Sequence, residues 1–473
     1  MERERWERPA LAAGIAAALF GLLLAGPMRT LTLASGAGER AALALCLTLV
    51  FGGTFGFYLH TEKPALREAC LAGAVLALSV LARAAMLDFQ SADYDSFLVK
   101  WVQYFRETGV SALGENVGDY NLLYQYALFL ISQIPACDLY LIKLLTIVFD
   151  YLLALAMMKA AGALAGENTK LPMLLIVPLL PTVLLDGSCW GQCDTVYAFL
   201  VILSFYDLEK GRPWRSAAAL ALAFAFKLQT IFFFPVVLLA LLHGKYKPKH
   251  ALAFFAAYLV TMIPALLAGR SFGSALSVYA NQSMGQYYHR LTYNAPNLYV
   301  FFPMLEFAST QEYTWMRYIA GIDGTGTNAW LTEDLFPTLQ QAALIAAAVL
   351  ALAVVVYWLL HWREVSPEMT LVFALFFALF IPFVLPKIHD RYFFLADMLS
   401  LLYAAQRPDR RFLPVLTIGA SLGSYMTFLT RQRPVDERVL ALMMLAALLL
   451  TAGDLLRGMR QNRVRLQERR DAV

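Results

Sequence analysis

"LREACLAGAVLALSVLARAAMLDFQSADYDSFLVKWVQYF", residues 66–105, changes character part-way along. Leu66 to Leu87 is apolar over a length that crosses a bilayer, which takes about 20 residues of α-helix. Two aspartates, Asp93 and Asp95, follow directly on an aromatic-rich segment. A chain that leaves a membrane and at once presents carboxylates sets them at the lip of whatever lies outside. Similar apolar stretches recur in both directions from this one. With 67–87, the segments near 9–28, 41–60, 138–160, 171–186, 190–208, 214–227, 229–243, 250–268, 337–361, 368–386, 391–406, 412–430 and 437–457 make fourteen. The expected fold is an all-α polytopic membrane protein. The shorter apolar run 122–134 reads as an interfacial or re-entrant helix.

Composition agrees. Of 473 residues, 60% are hydrophobic and 15% charged, against about 25% charged in soluble domains. The first apolar stretch, Pro9 to Met28, is longer than a signal h-region and reads as a retained helix. The net charge of +4 is small, but three arginines stand in "MERERWERP" and six in "RGMRQNRVRLQERR". Basic ends and basic short loops, such as 243–250 and 407–411, place both termini in the cytoplasm. Neither basic run is interleaved with aromatics, so nucleic acid is not an expected partner. Cys189 and Cys193 lack the His/Cys company of a zinc site, and no metal is expected.

This topology puts two long segments outside, 88–137 and 269–336. It also brings four polar clusters to that face. Charge at membrane depth is costly and marks a functional cavity. Asp93 and Asp95 point in different directions on a helix, and either Ser91 or Asp93 could serve as an N-cap. Lys227, in "ALALAFAFKLQTIFFFPVV", either snorkels or binds phosphate as a point charge, with Gln229 beside it. Arg391 is a bidentate phosphate donor with His389 nearby, unless Asp390 holds it in a structural pair. Trp190, Gln192 and Asp194 suit a sugar, whose C–H faces stack on an aromatic ring while its hydroxyls need polar partners. The competing reading is an aromatic belt.

The acidic "DY" at 93, "DYNLLYQY" (119–126), "WGQCD" (190–194), "FKLQ" (226–229), "NAPNLY" (294–299) and "HDRYFF" (389–394) together resemble bacterial Gpi18-like mannosyltransferases of the GT-C superfamily. The resemblance runs from about residue 85 to 405. It implies a bundle of about 11–14 transmembrane helices with an extracytoplasmic loop layer. Residues 1–65 would be additional helices and 66–473 the catalytic domain. The implied reaction moves a hexose, mannose by the family, from a polyprenyl-phosphate carrier to a glycan, lipid or protein acceptor in the cell envelope, with inversion. Asp93 is similar to the family's general base, with Asp95 as the alternative. Asp119, Tyr120, Trp190, Gln192, Asp194, Asn294 and Asn297 would bind acceptor or sugar. Lys227, Gln229, His389, Arg391 and Arg290 would hold the donor phosphate. No cofactor is implied. The aromatic segment with Trp101, Tyr104 and Phe105 would lie in the interface beside the carrier's chain. A transporter or flippase of lipid-linked sugars is the alternative, and it would need no base.

Overall fold

The computed structural model describes residues 2–284, 291–302 and 335–471. Helices longer than eight residues are numbered in chain order. They are α1 Glu2–Ala25, α2 Ala37–Glu62, α3 Leu66–Ala84, α4 Val99–Thr108, α5 Leu122–Ser132, α6 Asp138–Ala165, α7 Asp194–Glu209 and α8 Pro213–Phe226. They continue as α9 Phe234–Leu242, α10 Ala251–Leu267, α11 Leu335–Leu360, α12 Thr370–Val384, α13 Phe394–Gln406, α14 Leu413–Thr430 and α15 Glu437–Asp471. The fold is all-α and polytopic.

Eight helices among the described residues are long and apolar enough to cross a membrane. The pair Glu167–Leu179 and Pro181–Trp190 is apolar enough only when taken together and is bent by 46°, as a broken span or a re-entrant loop is. Pro181 accounts for the bend: the residue before a proline is pushed out of the helical region, and Leu180 sits at φ −59°, ψ 130°. Every one of the fourteen apolar segments is helical, but not every one is a full-length span. α7, α8, α9 and α13 have 16, 14, 9 and 13 residues. α3 has 19 and carries Arg67, Glu68 and Arg83. The expected figure of 11–14 spans therefore counts helices that, taken singly, are too short or too charged to cross.

The chain divides into two compact units, Met1–Thr230 with Lys249–Gln282, and Ile231–Pro248 with Ser283–Val473. In the first, α1 packs on α2 and α3, α2 on α6, α6 on α7, α7 on α8, and α8 on α10. The additional helices before residue 66 thus share a core with those that follow. The connection between α3 and α6 carries α4 and α5, which pack on each other. α4 buries Val102 and Phe105 and turns Lys100, Gln103 and Glu107 to solvent. Phe105 is fully buried against Phe129, so it faces the protein core and not a lipid chain.

In the second unit α12 is the central helix. Its apolar span is 78% buried, against 11% for that of α11, as expected for "TLVFALFFALFIPFV", which is apolar on every side. α15, α13, α9 and α11 pack on it, and α14 packs on α13 and α15. Two short parallel strands, β1 Thr292–Tyr293 and β2 Ile388–His389, pair Thr292 with Ile388 and Tyr293 with His389.

Candidate active site

Lys143 of α6, fully buried, fixes the turn that follows α3: its Nζ donates to the carbonyls of Met86, Leu87 and Phe89 at 2.9, 2.8 and 2.7 Å. Asp88, one residue into that turn, accepts from the Thr32 backbone N–H at 2.7 Å, the Thr32 hydroxyl at 3.0 Å and the Tyr140 hydroxyl. The turn leading to Asp93 is therefore fixed from two sides. Ser91, not Asp93, provides the cap: its Oγ accepts from Tyr94 N at 3.2 Å and donates to the Trp190 carbonyl at 2.7 Å. A single wide turn, Tyr94–Leu98, then leads into α4.

Asp93 is left to make other contacts. Trp190 Nε1 and Gln192 Nε2 both donate to its Oδ2, at 2.8 and 2.6 Å. Asp93 is half-buried, while Asp95 is exposed and its carboxylate makes no hydrogen bond among the described residues. The two-residue spacing separates the aspartates as expected.

The partner loop is built with equal care. Leu185–Trp190 is a second wide turn, closed by Gly191 at φ +80°, a conformation that favours glycine. The buried Asp186 accepts from Gln192 N through its carbonyl (2.9 Å) and from Asp194 N through Oδ2 (3.2 Å). Gln192 therefore presents its amide outward, donating to Asp93 while its Oε1 accepts from the Tyr120 hydroxyl at 2.9 Å. Tyr120 lies 5.7 Å from Lys227 Nζ, measured to its ring centroid, and Tyr197 lies 5.9 Å from it.

Lys227 sits where helix α8 breaks, at φ −148°, ψ 135°. Its Nζ meets Asp194 Oδ1 at 2.7 Å, with side chains 5% and 0% exposed. Two buried opposite charges this close offset each other's desolvation cost. Asp93, Gln192, Tyr120, Lys227 and Asp194 thus form one connected polar wall. Gln229, two residues on, is buried, and its Oε1 has no partner among the described residues. Asp119, next to Tyr120, is exposed at its tip and makes no hydrogen bond or ion pair among those residues. The protein around it desolvates the carboxyl enough to raise its pKa from 3.8.

The second unit joins the other two motifs. The β1–β2 pair and an Asn294–His389 bridge set "NAPNLY" against "HDRYFF". His389 stacks on Tyr293 with centroids 4.7 Å apart and planes at 17°. Arg391 is buried, 3.7 Å from Asp390. Asn297 is used within the protein: its Oδ1 caps Tyr299 N at 3.0 Å and its Nδ2 donates to the Leu385 carbonyl at 3.3 Å. Asn294 takes up a left-handed φ of +54°, and its carbonyl accepts from Ser424 Oγ. Arg290 lies outside the described residues. Cys189 and Cys193 are free thiols, and no group of three or more metal-ligating side chains occurs among the described residues.

The family model of glycosyltransferase family 87 matches residues 126–386, more than half of the chain. The chain belongs to glycosyltransferase family 87. It is a membrane glycosyltransferase of GT-C type. No curated protein matches it. The matched stretch includes Trp190, Gln192, Asp194, Lys227, Gln229, Asn294 and Asn297. Asp93, Asp119 and Tyr120 precede it, and His389 and Arg391 follow it. A half-buried carboxylate held by two neutral donors in a glycosyltransferase is placed to accept a proton from a hydroxyl within reach.

Sequence reasoning passed over five residues that build this candidate site: Asp88, Lys143, Asp186 and the Arg83–Asp150 pair that braces α3 against α6. Arg83 Nε meets Asp150 Oδ2 at 2.9 Å, both side chains fully buried. Arg83 Nη1 also donates to the carbonyls of Ser79 (3.1 Å) and Pro178 (2.8 Å). One signal was present for all of them, a charge inside or at the edge of an apolar span.

Proposed function

We propose that this family 87 enzyme moves a hexose from a polyprenyl-phosphate carrier to an acceptor hydroxyl outside the cytoplasm. Asp93 is the general base. It takes the acceptor's proton as the acceptor oxygen forms its bond to the sugar's C1. The bond from C1 to the phosphate oxygen breaks, the electron pair leaves with polyprenyl phosphate, and one displacement inverts the anomeric centre. The observation that carries this reading is the Asp93 carboxylate held by Trp190 and Gln192. Fixing a base within a few tenths of an ångström is what general-base catalysis requires.

Asp119, Tyr120, Trp190, Gln192 and Asp194 are the proposed sugar and acceptor contacts, with Asn294 and Asn297. Lys227, Gln229, His389, Arg391 and Arg290 are the proposed contacts of the leaving phosphate, whose developing charge cations stabilise. Lys227 does this while shared with Asp194. No metal is required by this scheme. Mannose is favoured by the Gpi18-like resemblance. The proposed setting is the cell membrane, with both termini cytoplasmic and Asp93 on the outer side.

Purified protein in liposomes, given labelled polyprenyl-phosphate mannose and a membrane extract as acceptor source, tests this. Label moves to a new product with the native chain and with Asp95→Asn, and not with Asp93→Asn. Transfer by Asp93→Asn at the native rate removes Asp93 from the role. Donor that crosses the bilayer unchanged identifies a flippase instead. Parallel donors carrying arabinose, glucose or galactose fix the sugar.

A further inference from the structure

A second charged cluster lies in the C-terminal unit, where one helix starts, one ends and a third turns from apolar to basic. The α12 span starts at Pro367. α13 stops at Gln406, before "RPDRR". α15 changes at Asp454 from an apolar run to one bearing Arg457, Arg460, Arg463 and Arg465. Apolar helices that turn basic at one level mark a membrane–water boundary. Between them is a cavity of about 710 Å³.

Its floor is a saturated carboxylate. Asp454 accepts from Arg410 Nε (2.7 Å) and Nη2 (2.6 Å), from Tyr403 Oη (2.9 Å) and from Arg457 Nη2 (2.5 Å). Asp409 is held by both prongs of Arg407, each at 3.0 Å. Arg465 and Glu368 also line the cavity, and neither forms an ion pair among the described residues. Four arginines therefore face three carboxylates. Arg457, Gln461 and Arg465 share one face of α15, and Gly458 lets Met369 approach where a Cβ would stand 2.7 Å from its Cε. Arginines that merely snorkel need no such carboxylate floor.

The geometry points to a phosphodiester site: this pocket holds the headgroup phosphate of a membrane phospholipid on Arg457 and Arg465. Guanidinium forks match phosphate oxygens two at a time, and the volume suits a headgroup. Free phosphate offers the same chemistry, but the level of the helix ends favours a lipid. The glycosyl-transfer reading plays no part in this inference.

Native mass spectrometry of the delipidated full chain with phosphatidylglycerol tests it, with inorganic phosphate in a second arm. Each arginine near a lipid surface contributes about 1 kcal/mol, or about fivefold in affinity. Arg457→Gln/Arg465→Gln is expected to lose more than tenfold in bound lipid, and the control Arg29→Gln/Arg67→Gln, two exposed arginines of the other unit, to lose none. Arg465→Gln alone, an exposed residue whose loss breaks no ion pair, keeps the test valid if the double variant misfolds, with a drop of about fivefold. Equal lipid retention by the folded variants overturns the site. Phosphate binding without lipid binding overturns the lipid as its ligand.

Discussion

Asp93 and Asp95 are two residues apart and have different fates. Asp93 points into a hydrogen-bonded corner and Asp95 into solvent. As general base, Asp93→Asn is expected to lower kcat by about 10²–10⁴-fold, with Asp95→Asn within a few-fold of native, measured by donor turnover. Trp190→Phe keeps the ring and deletes one bond to a charged acceptor, about 1.5–3 kcal/mol; it should lower kcat more than it changes KM. Asp119 gives a pH effect. Its folded pKa lies above the unfolded 3.8, so the folded state holds the proton more tightly. That contribution is present at low pH and is lost as pH rises past 3.8. Asp119→Asn should therefore be more stable than native at pH 7 and equal to it near pH 3, as thermal unfolding in detergent would show. The polar character of "WGQCD" was legible in the sequence. That its Trp and Gln hold a carboxylate 97 and 99 residues earlier was not, because nothing local to either motif encodes the other.

At the scale of elements, the site depends on departures from regular helix. Two wide turns, Tyr94–Leu98 and Leu185–Trp190, and the extended Lys227 aim side chains that an unbroken helix would spread around its axis. Gly187 belongs to the second turn, where an added Cβ would stand 2.7 Å from Thr146 Cγ2. Gly187→Ala should push the turn off α6 and cost about 1–3 kcal/mol, together with a fall in activity. Arg83→Met strands Asp150 in the core. About 3–5 kcal/mol should be lost, and adding Asp150→Leu should recover most of it, read as the unfolding midpoint in detergent. Apolar run length was enough to place the long helices, but not the short ones at Phe272–Leu276 and Val278–Met284, in a segment read as loop. It did not separate spans from shorter helices, since α8 and α9 flank a break that "FKLQT" only hints at. Charges inside spans were visible, but the pairs they form depend on packing between helices far apart in sequence.

On the scale of the molecule, the proposed sidedness has a direct check. Single cysteines replacing Asp95 and Gln467, in an otherwise cysteine-free chain, should be labelled by an impermeant reagent from opposite faces of sealed vesicles. The first helical pair bears on the same question. The link from α1 to α2 reaches the turn before Asp93 and the start of α6: Thr32 binds Asp88, Leu33 N donates to Tyr140 Oη at 3.1 Å, and Glu39 Oε1 accepts from Cys137 N at 2.6 Å. Four residues separate Asp88 from Asp93. A helix pair shifts its tilt or depth when bilayer thickness changes, at a cost of fractions of a kcal/mol per ångström of mismatch. Here that shift would reach the segment carrying the proposed base, and acyl-chain length is then expected to set the rate of the reaction. Turnover in short-chain and long-chain liposomes should differ for the native enzyme, and the difference should shrink once Asp88→Ala unhooks the pair from the turn.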